Sequence, residues 1–331
     1  MKHALCLMIL VLLLGCTGCV HLPGEEYAFA VVLAVDKRDE GGWTTCARIP
    51  DYQQEGSYVT LSADGGSYVE AMTHLNAAAP MSLHLGQLRM LIFGRGISTT
   101  EAQQILADSI VQYDVRSAAV PACTTAPVEE LLDCMDAMTG VRLSKSLDIL
   151  LETRQMQGVI PTITLGQAAR YADRQSFLMP LIEAAGSSFQ LKGAAAYAMT
   201  DGFPLLLAAE EMQMIALADG QMKKGTLSLP DLTLTVRHVR AAINLRGSTV
   251  RLTLRLETMP ISEDTQDAEQ TLKQQYLRLA ERLAAANSDV FGLAGQAVRS
   301  YLTDADWRNS QWQERFSDLT WDADVQIIPA A

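Results

Sequence analysis

The chain has 331 residues, 49% of them hydrophobic and 19% charged, the proportions of a globular protein with enough material for two or three domains. Lys and Arg number 26 against 38 Asp and Glu, a net charge of −12, which repels phosphate backbones and anionic headgroups alike and argues against nucleic acid as a partner. Beyond residue 20 no window approaches the ~18 uninterrupted apolar residues of a membrane helix, and no solenoid repeat or low-complexity tract is present.

Met1-Lys2-His3 is a short basic start, followed by the 11-residue apolar run Ala4 to Leu14. As a helix this run reaches only ~17 Å against a hydrocarbon core of ~30 Å, which suits the core of an export signal and not a membrane span. Small residues then lead to cysteine twice, as Leu13-Leu14-Gly15-Cys16 and Cys16-Thr17-Gly18-Cys19. Both resemble the bacterial lipobox, whose cysteine is diacylated and becomes the new N-terminus; multiple acyl chains anchor a protein where one chain does not. Cys16 has the better Leu three residues before it and Cys19 the better Thr-Gly, and the local sequence does not separate them. Residues 1–18 are read as a lipoprotein signal peptide, and its removal with Lys2 makes the net charge −13. Of the other cysteines, Cys46, Cys123 and Cys134 are an odd number, so at most one disulfide forms. Buried structural thiols explain them better than redox chemistry.

Tyr27 to Asp36 is nearly continuous apolar and reads as one buried strand. Trp43 to Ile49 and Tyr58 to Leu61 follow as short strands. Ser67 with Glu70 forms a capping box that opens a helix ended by Pro80, and Ser98 with Glu101 opens another to about Gln112. Strands are expected over Leu88 to Phe93 and Val115 to Cys123, with a helix over 127–138. The alternation argues an α/β layer structure for residues 19–140. Residues 141–188 are read as a helical bridge or middle domain, broken at Gly158 and Pro161, and 189–331 as the C-terminal domain. There, Leu191 to Met199 and Phe203 to Leu207 read as paired strands.

The clearest local signal is 232–257. With Gly247-Ser248 as the loop, Val239, Ala241, Ile243 and Leu245 face Val250, Leu252, Leu254 and Leu256. Both strands choose the same buried face, and this agreement sets the register. The opposite face then carries Arg240 beside Arg255, an unfavourable like-charge pair. A nearby carboxylate such as Glu257 answers it most simply; a docking face for an acidic loop of a partner is the sharper reading. A long helix follows, with Leu272, Tyr276, Leu279 and Leu283 as its apolar stripe, then a helix from about Val290 to Leu302 and a final strand near Val325 to Ile328. The fold class is α/β or α+β, with three small domains of mixed or antiparallel sheet flanked by helices.

Catalytic chemistry finds no foothold. His21, His74, His84 and His238 show no metal-ligand spacing, and there is no nucleophile elbow, Walker loop or dinucleotide fingerprint. Glu129-Glu130 and Glu210-Glu211 sit at expected helix starts, where the helix dipole explains them. Trp307, Trp312 and Phe316 have helical spacing and read as core before they read as a stacking platform. No catalytic residue, metal or cofactor is expected.

Four stretches carry a specific resemblance: "TGCV" with "AFAVVLAVDK", "LHLGQLRMLIFGRGIS", "LKGAAAYAMTDGFPLLLAAEEM" and "SDVFGLAGQAVRSYLTDADWRNSQWQERF". In the last, Asp289, Phe291, Gly292, Arg299, Trp307, Trp312 and Phe316 fall at matching positions. In this order they resemble the C-subunit family of spore germinant receptors, the Ger(x)C lipoproteins. Gln87 stands where the family often has His, and His21 to Glu26 replaces its usual basic stretch. The resemblance favours Cys19 for lipidation. It implies a three-domain lipoprotein on the outer face of the inner spore membrane, working with integral-membrane A and B subunits in a receptor that detects nutrients. A solute-binding lipoprotein of a transport system is the alternative.

Overall fold

The computed structural model describes residues 27–329 apart from 52–53, 55–56, 113–114, 136–142, 173–175, 187, 230–231 and 261–263; the expected signal segment, Cys16 and Cys19 lie outside the described residues. The first part of the chain supplies strands β1 Tyr27–Phe29, β2 Val32–Lys37, β3 Trp43–Pro50, β4 Tyr58–Gly65, β5 Ser82–His84, β6 Met90–Phe93, β7 Val120–Cys123, β8 Phe177–Ala185, β9 Ser188–Tyr197 and β10 Leu205–Ala208. Its helices are α1 Tyr68–Ala78, α2 Thr99–Gln112, α3 Val128–Cys134, α4 Leu143–Met156 and α5 Leu165–Ala172.

One eight-stranded sheet in the order β10-β9-β8-β7-β6-β2-β3-β4 organises these elements. Its middle strands β2, β6, β7 and β8 are parallel, and an antiparallel run flanks them on each side. Parallel strands need cover on both faces. Leu33 and Val35 of β2 accordingly face Met72, Leu75, Ile105 and Leu165 of α1, α2 and α5. Val32 and Ala34 face Leu131, Leu132, Leu147 and Leu151 of α3 and α4.

The run expected as one strand over Tyr27 to Asp36 is two. Backbone partners change where it breaks: Ala30 N–H donates to His84 O (3.1 Å) and Val31 N–H to Arg48 O (2.9 Å). β1 thereby pairs with β5 in a separate two-stranded ribbon. The strand expected from Val115 is shorter, since its first five residues form a turn closed by Ala119 N–H to Arg116 O at 2.9 Å. The sheet also passes without a break through the boundaries placed at 140 and 188. β8 and β9 pair antiparallel from Phe177↔Tyr197 to Ala185↔Ser188, so β8, β9 and β10 belong to the same sheet as β2 and β6.

The remainder comprises α6 Ala209–Ala218, β11 Gly225–Leu229, β12 Leu232–Arg246, β13 Thr249–Thr258, α7 Thr265–Ala285, α8 Leu293–Ala297, α9 Asp304–Asn309, α10 Trp312–Phe316 and β14 Thr320–Pro329. A four-stranded sheet runs β11-β12-β13-β14. β14 returns parallel to β13 after the α7 crossover. Leu252, Leu254 and Leu256 share a core with Leu272, Tyr276, Leu279 and Leu283 of α7, together with Ala194, Ala196 and Leu207 of the larger sheet. β9 and β10 approach so closely that a Cβ on Gly193, at φ +134°, would lie 2.1 Å from Leu207 O, so only glycine fits there.

Asp289 ties the C-terminal segment into this frame. It is 1% exposed; its Oδ1 accepts from Leu293 N–H (2.8 Å) and its Oδ2 from Ala294 N–H (2.7 Å), while its own N–H donates to Ser176 Oγ at 2.8 Å. Burial pushes its carboxyl above the ordinary value of 3.8, against the opposing pull of those donors and of the Trp312 indole. The Trp312 Nε1 itself falls short of hydrogen-bond geometry and has no partner among the described residues. A lifted acid holds its proton more tightly when folded, so its contribution to stability is full at low pH and is lost as pH rises from 3.8 through the lifted value. Unfolding titrations from about pH 4 to 7 should show wild type losing stability relative to Asp289→Asn as pH rises; a gain would mean that the donors outweigh burial.

Candidate functional site

The outer face of the four-stranded sheet is built by the alternation of β13. Val250, Leu252, Leu254 and Leu256 are buried and the residues between them are exposed. β12 and β13 pair in the register read from the sequence: His238↔Glu257, Arg240↔Arg255, Ala242↔Thr253 and Asn244↔Arg251. Arg240 and Arg255 are therefore side by side and exposed. The simple answer, a nearby carboxylate, does not close into an ion pair. Glu257 lies opposite His238, and among the described residues neither arginine forms an ion pair. Arg251 is different: its guanidinium reaches Asp322 Oδ2 at 2.9 and 3.0 Å, and Lys273 Nζ lies 3.9 Å from the other carboxylate oxygen. Arg240 and Arg255 thus stand without ion pairs among the described residues, on a face that also carries Glu257 of β13 and Asp324 of β14, the latter opposite Thr253.

The aromatic residues singled out by spacing belong to a core. Trp312 and Phe316 are buried with Val250 and Leu293, and half-buried Trp307 packs at a tilt against Trp312 with centroids 5.9 Å apart. His74 is exposed, its Nδ1 2.6 Å from Asp64 O, and His84 packs edge-on to Tyr27 at 5.2 Å. Glu129 and Glu130 stand in the first turn of α3, and Glu210 and Glu211 in that of α6. These are positions where the helix dipole favours acids.

Cys46, Cys123 and Cys134 are free thiols. Burial pushes Cys46 and Cys123 up to about 12, far from the range of a nucleophilic thiolate. Among the described residues no group of three or more His, Cys, Asp and Glu side chains is placed to hold a metal ion, and no helix is long and apolar enough to cross a membrane. A cleft of about 240 Å³ at the start of β8, between α5 and the segments that follow α6 and α7, is lined by Gln167, Tyr171, Ser176, Asp219, Gln221 and Asp289. Both Asp289 oxygens are already taken by the backbone of α8. Sequence reasoning named Asp289 only as part of a signature; the signal for its role was an acid four residues ahead of a short apolar helix.

Comparison with known proteins bears on the whole chain. Residues 23–184 match the spore germination protein N-terminal domain, and residues 206–328 match the spore germination B3/GerAC-like C-terminal domain. The crystal structure of the GerBC protein aligns with a TM-score of 0.56 over 90% of this chain and 97% of that one, at 13% identity, a likeness of fold. No curated protein sequence matches. The first match ends inside β8 and the second begins inside β10, so the stretch between them is the strand that hydrogen-bonds to both. Two domain matches in this order, with only the N-terminus, residues 185–205 and the last three residues outside them, place the chain in the GerAC-like spore germination family, the C subunits of germinant receptors.

Proposed function

We propose that this chain is a non-catalytic, lipid-anchored subunit of a spore nutrient receptor, held at the outer face of the inner spore membrane and supporting receptor assembly and signal coupling with the integral-membrane A and B subunits. The observation that carries this reading is the ordered pair of germination-domain matches. The tether is supported by the apolar run Ala4 to Leu14 and the lipobox-like Leu-Gly-Cys and Thr-Gly-Cys triplets that follow it. Acyl chains supply the attachment that an acidic surface cannot, because net negative charge is repelled by anionic lipid. Cys19 is the proposed acylation site, with Cys16 as the alternative.

A supporting role is consistent with the chemistry of the buried thiols Cys46 and Cys123. Iodoacetamide applied to the native protein at about pH 8 should leave Cys46 and Cys123 unmodified, since a thiol titrating near 12 is almost wholly protonated there. Half-buried Cys134 is the site expected to react. Rapid alkylation of Cys123 would point to an activated thiol and against this reading.

Two further experiments address the proposal directly. Metabolic labelling with palmitate should be lost in Cys19→Ala; labelling that persists moves the acylation to Cys16. Spores lacking the chain should form and remain viable yet fail to respond to the nutrient served by their receptor, and an unchanged nutrient response would remove the receptor role.

A further inference from the structure

The four-stranded sheet leaves one edge unfinished. β12 spans fifteen residues, but β11 pairs with it only from Leu232 to Val236. Gly225, at φ +147°, turns the chain away at that point, and the register of β12 against β13 shifts between Val236 and His238. At the far end Gln296 takes the place of a neighbouring strand: its Oε1 accepts from Leu245 N–H (3.0 Å) and its Nε2 donates to Ile243 O (2.9 Å). Those bonds show that, beyond the register shift, the odd-numbered residues of β12 turn their backbone groups outward, away from β13; before it the parity is reversed, Thr235 O accepting from Met259 N–H (2.8 Å). With a period of two, Val239 and Ala241 turn theirs the same way. Among the described residues nothing bonds to either from that side. The open stretch, residues 238–242, is about 17 Å long at ~3.4 Å per residue.

The side chains along it are of two kinds. Val239, Ala241 and Ile243 form an inner apolar row that is only half buried at the margin of the core. Arg240, with Arg255 beside it, forms the outer row and has no ion-pair partner among the described residues, and exposed Lys223 and Lys224 lie next to the point where β11 departs. We infer that this edge receives an extended segment of a partner polypeptide as a fifth strand, apolar residues inward and carboxylates outward against Arg240 and Arg255. Main-chain hydrogen bonds supply the attachment in such strand addition, and alternate side chains supply the selectivity.

Charge selects among occupants. Two copies meeting edge to edge through β12 would set arginine against arginine, and like charges on an exposed edge are a common guard against that pairing. A second copy's β14 is acidic, but its Asp322 is already held by Arg251 and Lys273 and its Ile327 N–H by Glu269. An anionic bilayer is a plane wide enough to feel the whole charge of −12, whereas a single acidic strand feels the arginines within a Debye length of about 8 Å.

The inference rests on the receptor-subunit reading only for the identity of the partner. The mature full-length chain is tested with a blocked octapeptide alternating Glu and Val, and with its Lys-Val counterpart. The acidic peptide should slow amide exchange across residues 238–242 and bind more weakly as salt is raised. Arg240→Glu combined with Arg255→Glu should weaken it roughly tenfold or more, as should Ala241→Pro, which removes an outward N–H from an edge where proline is tolerated. Should Ala241→Pro fail to fold, the charge reversal, which alters only exposed side chains, decides alone. The inference is overturned by absent protection at 238–242, by binding indifferent to the charge reversal, or by equal binding of the Lys-Val peptide. It is also overturned if phosphatidylglycerol vesicles protect this edge in wild type and not in the reversed variant, or if self-association occupies it. The peptide result stands whether or not spores need the chain to sense nutrients, and the spore experiment stands whatever the peptide does.

Discussion

In β13 the buried row Val250, Leu252, Leu254 and Leu256 alternates with exposed Arg251, Thr253, Arg255 and Glu257, and a one-residue slip against β12 would exchange the two rows. Burying each aliphatic side chain contributes on the order of 1.5–3 kcal/mol. Four of them together approach the net stability of a typical domain, about 5–15 kcal/mol. Repulsion between two exposed arginines is far smaller, a few tenths to about 1 kcal/mol. The inner row therefore dictates where the outer row stands. Arg240 and Arg255 are brought together by leucines packing on α7, against their own preference, and the surface inherits a charge that the fold does not consume.

The same sheet is not a separate body hung on the first. Ala194, Ala196 and Leu207 of the eight-stranded sheet lie in the core that holds Leu254 and Tyr276. Tyr276 Oη donates to Met214 O, linking α7 to α6. Met199 N–H donates to Asn287 O (3.2 Å), Gln313 Nε2 donates to Met199 O (3.2 Å), and Ser176 Oγ accepts from Asp289 N–H. Phe177 and Tyr197 stack at 5.0 Å across β8 and β9, just inside these contacts. Displacement of the C-terminal segment would thus strain β9, a strand in the larger sheet, through both packing and hydrogen bonds. Interiors packed at this density transmit strain better than they absorb it.

What could be read from the residues was what a single element decides by itself. The β12–β13 register was legible because both strands alternate independently, and the start of α1 because Ser67 Oγ accepts from Glu70 N–H at 3.2 Å. What depends on distant partners was not. β1 and β2 form one apolar run, and only the competing offers of His84 and Arg48 divide it. β8 went unread because Pro180 sits inside it, and proline in an interior strand argues against the strand. Its ladder shifts register between Pro180 and Ile182, and a bulge tolerates the missing N–H. That one strand hid the continuity of the sheet across residue 188. On the surface, the arginine pair was visible in the sequence, but the open edge beside it was not. The edge exists because β11 stops short, which no feature of β12 reveals.

An edge five residues long is a weak binding site in dilute solution, since ordering two chains costs several kcal/mol before any contact contributes. If the body is tethered at Cys19 as proposed, the arithmetic changes. Seven residues lie between that cysteine and Tyr27, the first residue of β1; the eight residue steps reach at most about 28 Å. Within such a reach a partner fixed in the same membrane is met at an effective concentration in the millimolar range. Strand addition that would be marginal between free molecules would then be populated while staying reversible. Reversibility would suit the signal-coupling role proposed above, because a strand that docks and leaves can report a change in its neighbour. The arginines would serve selectivity more than affinity, rejecting basic and neutral strands that the backbone edge alone would accept.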